Sequence, residues 1–153
     1  MFDTVRAVIF AAAAAAAPAT AAPADTPAHV SQVWACAWQA KRLDAVLALY
    51  TPDAVFLDAN GSRVTGRPAL RVFFAKVLGQ YSAEPQLRSI GGAVSGDLAY
   101  DWGEYREIVT PIAHPAGAIR TEGSYLVILR RVSGRWLIAE QMWTGNAPVP
   151  VRR

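Results

Sequence analysis

"YLVILRRVSGRWLIAEQMW", residues 125–143, sets two runs of large apolar residues on either side of Ser133-Gly134. Each run alternates with period two and a Ser-Gly pair is a tight-turn signal, so the stretch reads as a β-hairpin. On its first strand Tyr125, Val127 and Leu129 share one face, and Leu126 and Ile128 the other. On its second, Trp136, Ile138, Glu140 and Met142 oppose Leu137, Ala139, Gln141 and Trp143. Both faces carry apolar bulk, whereas a sheet with one wet face alternates cleanly. The expectation is a core on one side and a second contact, a partner subunit, on the other.

Period two extends back to Pro85. Turn signals at Ser95-Gly96-Asp97 and from Pro111 to Gly117 divide it into strands at 86–94, 98–109, 119–131 and 135–144. Strands joined this closely make an antiparallel meander. Along the second, Leu98, Tyr100, Trp102, Glu104 and Arg106 share one face, and Ala99, Asp101, Gly103, Tyr105 and Glu107 the other. Neither is cleanly apolar, which suits a strand that lines a pocket.

Upstream of the sheet the period becomes helical. Thr26 can cap a helix with Pro27 at its first position, followed by Val30, Val33, Trp34, Ala37 and Trp38 on one face. After a break at Lys41-Arg42, residues Leu43, Val46, Leu47 and Tyr50 continue the period, and Pro52 should end that second helix. Ala54 to Asp58 reads as a strand, Asn60-Gly61 as a tight turn, and Gly66-Arg67-Pro68 as the start of a third helix with Leu70, Phe73, Phe74, Val77 and Leu78 inward. Three helices followed by a long antiparallel sheet make an α+β fold. Long twisted strands curl, so the expected shape is a cone: a strongly curved antiparallel sheet wrapped around three N-terminal helices, with a cavity at its open end.

The 153 residues suit one domain. Residues 1–21 have the layout of a signal peptide: Arg6, an apolar run from Ala7 to Ala17, and small residues ending at Ala21. That run is too short for a membrane span, so the expectation is export to the periplasm or beyond, with a linker over 22–27, the domain over 28–146 and a tail over 147–153. The net charge of +3 is scattered in pairs such as Lys41-Arg42 and Arg130-Arg131, which argues against a nucleic-acid groove. Cys36, the single cysteine, reads as a small buried hydrophobe on the first helix. There is no CxxC, and His29 and His114 are far apart, so neither a metal nor a cofactor is expected.

Four segments, "WACAWQAKRLDAVLALYTPDAVFLDANG", "VTGRPALRVFFAKVL", "GDLAYDWGEY" and "YLVILRRVSGRWLIAEQMW", together resemble the nuclear transport factor 2-like superfamily. Its ketosteroid isomerase-like and SnoaL-like cone folds are the relevant ones, and the nearest branch is its domain of unknown function 4440. The resemblance covers residues 28 to 144 and implies the cone fold. It leaves activity open, because the superfamily contains isomerases, cyclases, dehydratases and binders without chemistry. By the resemblance to ketosteroid isomerases, Asp58 falls where those enzymes place the general base and Trp34 where they place a donor tyrosine. Tyr125 or a close neighbour falls near their second donor. Lys41-Arg42 stands in place of the usual Gly-Asp between the first two helices.

Asp58 has two readings, a strand-end acid accepting backbone N–H bonds in the Asn60-Gly61 turn, or a carboxylate working in a pocket. Trp34, Trp38, Tyr50, Phe56, Tyr105, Tyr125 and Trp143 can be core aromatics or, with Asp101 and Gln141, the lining of an apolar pocket for a small hydrophobic or aromatic molecule. Two functions follow: an exported homodimeric binding domain, or an isomerase, cyclase or dehydratase with Asp58 as base and Tyr125, Trp34 or Tyr105 as donor to the developing oxyanion.

Overall fold

Residues 26–151 are described by a computed structural model. The signal-like stretch 1–21 and most of the linker lie outside the described residues. Thr26 caps helix α1, Pro27–Gln39, its hydroxyl accepting from the His29 N–H at 3.2 Å. The face that α1 buries is centred on Val30, Trp34, Ala37 and Trp38. Val33 and Cys36 lie on its flank and are exposed, so Cys36 is not the buried hydrophobe expected of it. Lys41 turns the chain with φ 55° into α2, Leu43–Leu47.

Tyr50 does not continue α2. It opens β1, Tyr50–Leu57, and Pro52 lies inside this strand. Pairing explains why that is tolerated. β1 runs parallel to β7, Arg135–Gly145, through Tyr50 opposite Ile138 and again from Val55 opposite Glu140, with the ladder interrupted between. Pro52, which has no N–H to give, occupies the interruption.

Asn60 and Gly61 turn the chain into β2, Arg63–Thr65, and Gly66 leads into α3, Arg67–Gln80. Short β3, Tyr81–Ala83, precedes the long strands β4, Gln86–Ser95, β5, Leu98–Pro111, and β6, Ile119–Val132. Val149–Pro150, in the expected tail, forms β8 on β6. The sheet order is β2-β1-β7-β6-β5-β3, with β4 also on β5, and only the β1–β7 pair is parallel among the described strands.

The expected α+β cone is present. The inward row of β5 is Ala99, Asp101, Gly103 and Tyr105, and β6 adds Tyr125, Val127 and Leu129, all packed on the helices. Close glycine contacts show how tightly the sheet curves: a Cβ on Gly123 would stand 1.8 Å from the Thr144 carbonyl oxygen, and one on Gly103 2.0 Å from that of Arg88.

In β7 strict alternation fails. Leu129 pairs with Ile138 but Ile128 pairs with Glu140, so Ala139 is the extra residue of a bulge. Trp136 and Ile138 point inward before it, Gln141 and Trp143 after it. What reads from sequence as two apolar faces is largely one inward face that changes register.

Candidate functional site

A cavity of about 570 Å³ lies between the sheet and helices α1 and α3. Its walls are Trp34 and Trp38 from α1, Phe73, Val77 and Leu78 from α3, Phe56 from β1, Tyr105 and Val109 from β5, and Trp143 from β7. Helical spacing puts Trp34 and Trp38 one above the other, stacked with ring centroids 5.1 Å apart and planes 13° apart. Trp143 stands 5.3 Å from Trp34, and Tyr105 meets Trp143 edge-on at 4.9 Å.

Two carboxyl groups, Asp58 and Glu107, meet this largely apolar lining. Asp58 follows β1 and is half-buried at the rim beside exposed Ala59, Asn60 and Asn146. Its Oδ1 accepts from the Ala59 N–H at 2.8 Å and its backbone closes the turn with Gly61 and Ser62, as the turn reading asks, and the residue also lines the cavity. Glu107 comes from β5, two residues beyond Tyr105 on the same inward row. Thr121, directly opposite on β6, donates its hydroxyl to Glu107 Oε1 at 3.1 Å.

Burial raises the Glu107 carboxyl above the ordinary range; the Thr121 hydrogen bond pulls it partly back, and the charge of Asp58 pushes it up further. Tyr105 is raised by burial first, then by the charge of Glu107 and, more weakly, of Asp58, against a lowering by Thr121. Asp58, Glu107 and Tyr105 thus form one electrostatic group.

The other expected site residues lie behind the cavity wall. Tyr125 donates to Asp101 Oδ2 at 2.9 Å, Ser31 donates to the same oxygen at 2.7 Å, and the Ser89 hydroxyl donates to Oδ1. Asp101 is 1% exposed, and its three hydroxyl donors tie α1 to β4, β5 and β6. Trp34 lines the cavity with its ring, but its Nε1–H donates to the Tyr50 hydroxyl at 2.8 Å, and Tyr50 in turn donates to Gln141 Oε1. Tyr50, Asp101, Gln141 and Tyr125 therefore do not line the cavity, and the phenol of Tyr125 and the indole N–H of Trp34 already have buried partners. The polar groups that do line it include the Tyr105 hydroxyl, the raised carboxyl of Glu107 with its Thr121 partner, and Asn60 and Asn146 at the rim. The sequence placed Glu107 on the inward row without singling it out; the signal was its spacing from Tyr105.

Among the described residues no group of three or more His, Cys, Asp or Glu side chains is placed to hold a metal ion. None of their helices is long and apolar enough to cross a membrane.

The sequence profile of the SnoaL-like domain matches residues 30–139. No curated protein matches the sequence significantly. Among solved structures, a ketosteroid isomerase-like protein from Erwinia carotovora atroseptica superposes with a TM-score of 0.73 at 18% identity, over 80% of this chain and 95% of that one. A conserved protein from Planctomyces limnophilus gives 0.69 at 21%, over 80% and 92%. A type 2 hexachlorocyclohexane dehydrochlorinase gives 0.69 at 15%, over 80% and 84%. At these identities the likeness is one of fold.

Proposed function

The chain belongs to the SnoaL-like domain family, and on that premise we propose that it is an acid–base isomerase or lyase that moves a proton at carbon on a small apolar or aromatic substrate. The observation that carries this reading is the pair Asp58 and Glu107 in one aromatic cavity, with Glu107 lifted by burial and by its neighbour's charge. A buried, raised carboxyl beside a second one at the rim can supply the acid and the base of one site.

Asp58 takes the proton from a carbon next to a carbonyl or a leaving group. Glu107, protonated, donates to the oxygen that gains charge, and the Tyr105 hydroxyl is a second donor. In an isomerisation the proton on Asp58 returns to another carbon. In an elimination the leaving group departs with the proton of Glu107, and exchange through water moves the proton of Asp58 back to Glu107. Both outcomes use the same residues. Support of a general kind comes from fold relatives named for proton chemistry at carbon, the ketosteroid isomerase-like protein and the dehydrochlorinase.

The test needs no knowledge of the product. Phenylacetone incubated with the protein in heavy water should exchange its α-hydrogens faster than in buffer, as followed by NMR. Asp58→Asn and Glu107→Gln should each slow that exchange by about 10²–10⁴-fold. No exchange by the native protein, or exchange untouched by both substitutions, rejects the reading in favour of binding without chemistry.

Two further parts belong to this proposal. Export rests on the layout of residues 1–21; cell fractionation should find a shortened chain outside the cytoplasm, and a full-length cytoplasmic chain would contradict it. Homodimerisation through the outer sheet face rests on the apolar side chains exposed there.

A further inference from the structure

Charge inside the cavity is one-sided. Asp58 and Glu107 line it, and among the described residues that do so there is no lysine, arginine or histidine. The chain as a whole is basic, at +3, so the acids do not follow from an acidic molecule. Four arginines, Arg71, Arg88, Arg106 and Arg130, are instead paired with Asp44, Glu104, Glu122 and Asp53, on side chains between 47% and 86% exposed. Beside aliphatic side chains, the walls carry the rings of Trp34, Trp38, Phe56, Phe73, Tyr105 and Trp143, whose faces attract cations.

An anionic ligand would have to leave water for a site with two carboxyl groups and no counter-charge, an unfavourable transfer. A neutral apolar ligand would fill the cavity but bring no counter-charge to the acids, whose partners are the Ala59 N–H and the Thr121 hydroxyl. A ligand with an apolar body and a positive nitrogen satisfies both parts. We infer that the cavity selects an aromatic or aliphatic amine in its protonated form, with the hydrocarbon part among the tryptophans and the ammonium group at the rim between Asp58 and Glu107.

This rests on the reading of the cavity as the substrate site and names the substrate's class. It also fits the proposed chemistry: an ammonium group near the acidic carbon opposes the negative charge that develops when Asp58 takes the proton. Glu107 gives its proton to the reacting oxygen or leaving group as before, and the ammonium group then stabilises the carboxylate that remains.

Three probes of nearly equal shape separate the alternatives: 4-phenylbutylamine, 4-phenylbutan-1-ol and 4-phenylbutyrate. Titration at neutral pH, read by the fluorescence of the tryptophans lining the cavity, should show the amine binding at least about tenfold more tightly than the alcohol, with the carboxylate weakest. Asp58→Asn and Glu107→Gln should each narrow the amine-to-alcohol ratio while leaving the alcohol's affinity nearly unchanged. The inference is overturned if the alcohol or the carboxylate binds as tightly as the amine, if the amine shows no saturable binding, or if neither substitution moves the ratio. Exchange of phenylacetone in heavy water is measured separately, so loss of amine selectivity with exchange retained removes the substrate class and leaves the acid–base reading standing.

Discussion

Glu107 is the buried carboxyl of the cavity, and its environment has a consequence for stability. A carboxyl raised by burial keeps its proton in the folded chain over a pH range in which the unfolded chain has lost it. In that window the folded state binds more protons, so stability falls as pH rises. The loss begins near the ordinary glutamate value, about 4.3, and is complete above the raised folded value. Asp53, lowered chiefly by its hydrogen bond from Arg130, works in the opposite sense at acid pH, but it is common to any pair of variants differing only at 107. Thermal melts of native protein and Glu107→Gln across this range should therefore diverge as pH rises, the native chain losing relative stability; parallel curves would show that burial does not disfavour the Glu107 carboxylate. Asp58 was legible in the sequence because Asn60-Gly61 marks the end of its strand. Glu107 was not, because its role depends on Thr121 across the sheet and on Asp58 from another strand, and neither proximity is written in local spacing.

At the scale of elements, period and turn residues recovered α1, α3 and the long strands β4 to β7 within a residue or two, because helical spacing marks the helices and Gly- or Pro-bearing turns separate the strands. Two misreadings share a physical cause. Tyr50 and Pro52 looked helical and helix-ending, and Trp136 to Trp143 looked two-faced, because strand irregularities are set by the neighbouring strand: the gap in the β1–β7 ladder accommodates Pro52, and the bulge at Ala139 turns Gln141 and Trp143 inward. The glycines of the curved sheet follow the same logic and give opposite expectations according to position. Gly123→Ala must push against the backbone of Thr144, and urea unfolding should show a loss of about 1–3 kcal/mol, as for other overpacked sites. Gly79→Ala, near the end of α3 with nothing within 4 Å of the new Cβ, should instead stabilise by roughly 0.4–1 kcal/mol. Equal shifts at both would mean that close packing across the sheet does not govern its curvature.

For the whole molecule, the cone was legible because three helices ahead of a long meander leave little else for a twisted sheet to wrap. The cavity's lining was not, since it draws on both tryptophans of one helix turn, a second helix and several strands whose mutual register only the fold supplies. The outer face of the sheet carries the remaining expectation. Trp102 is opposite Leu126, which is opposite Met142; Tyr100 is opposite Ile128 in the neighbouring row. Leu98, Tyr100, Trp102 and Met142 are between 38% and 52% exposed, and with Leu126 they carry apolar side chains across β5, β6 and β7 on the outer face. Such a surface marks an interaction site when large and contiguous, and the proposed occupant is a second copy of the same face, which would match it in polarity. Light scattering at micromolar concentration should then give twice the mass of one chain. Met142→Glu, which sets a like charge on each copy, should yield a monomer that keeps its exchange activity, because Met142 points away from the cavity. Trp102→Glu is the less discriminating variant, since the indole also covers Gly91, where an added Cβ would lie 2.6 Å from its Nε1. A native chain that scatters as a monomer would leave the outer face without its proposed partner, and a Met142→Glu chain that remains dimeric would place the interface elsewhere.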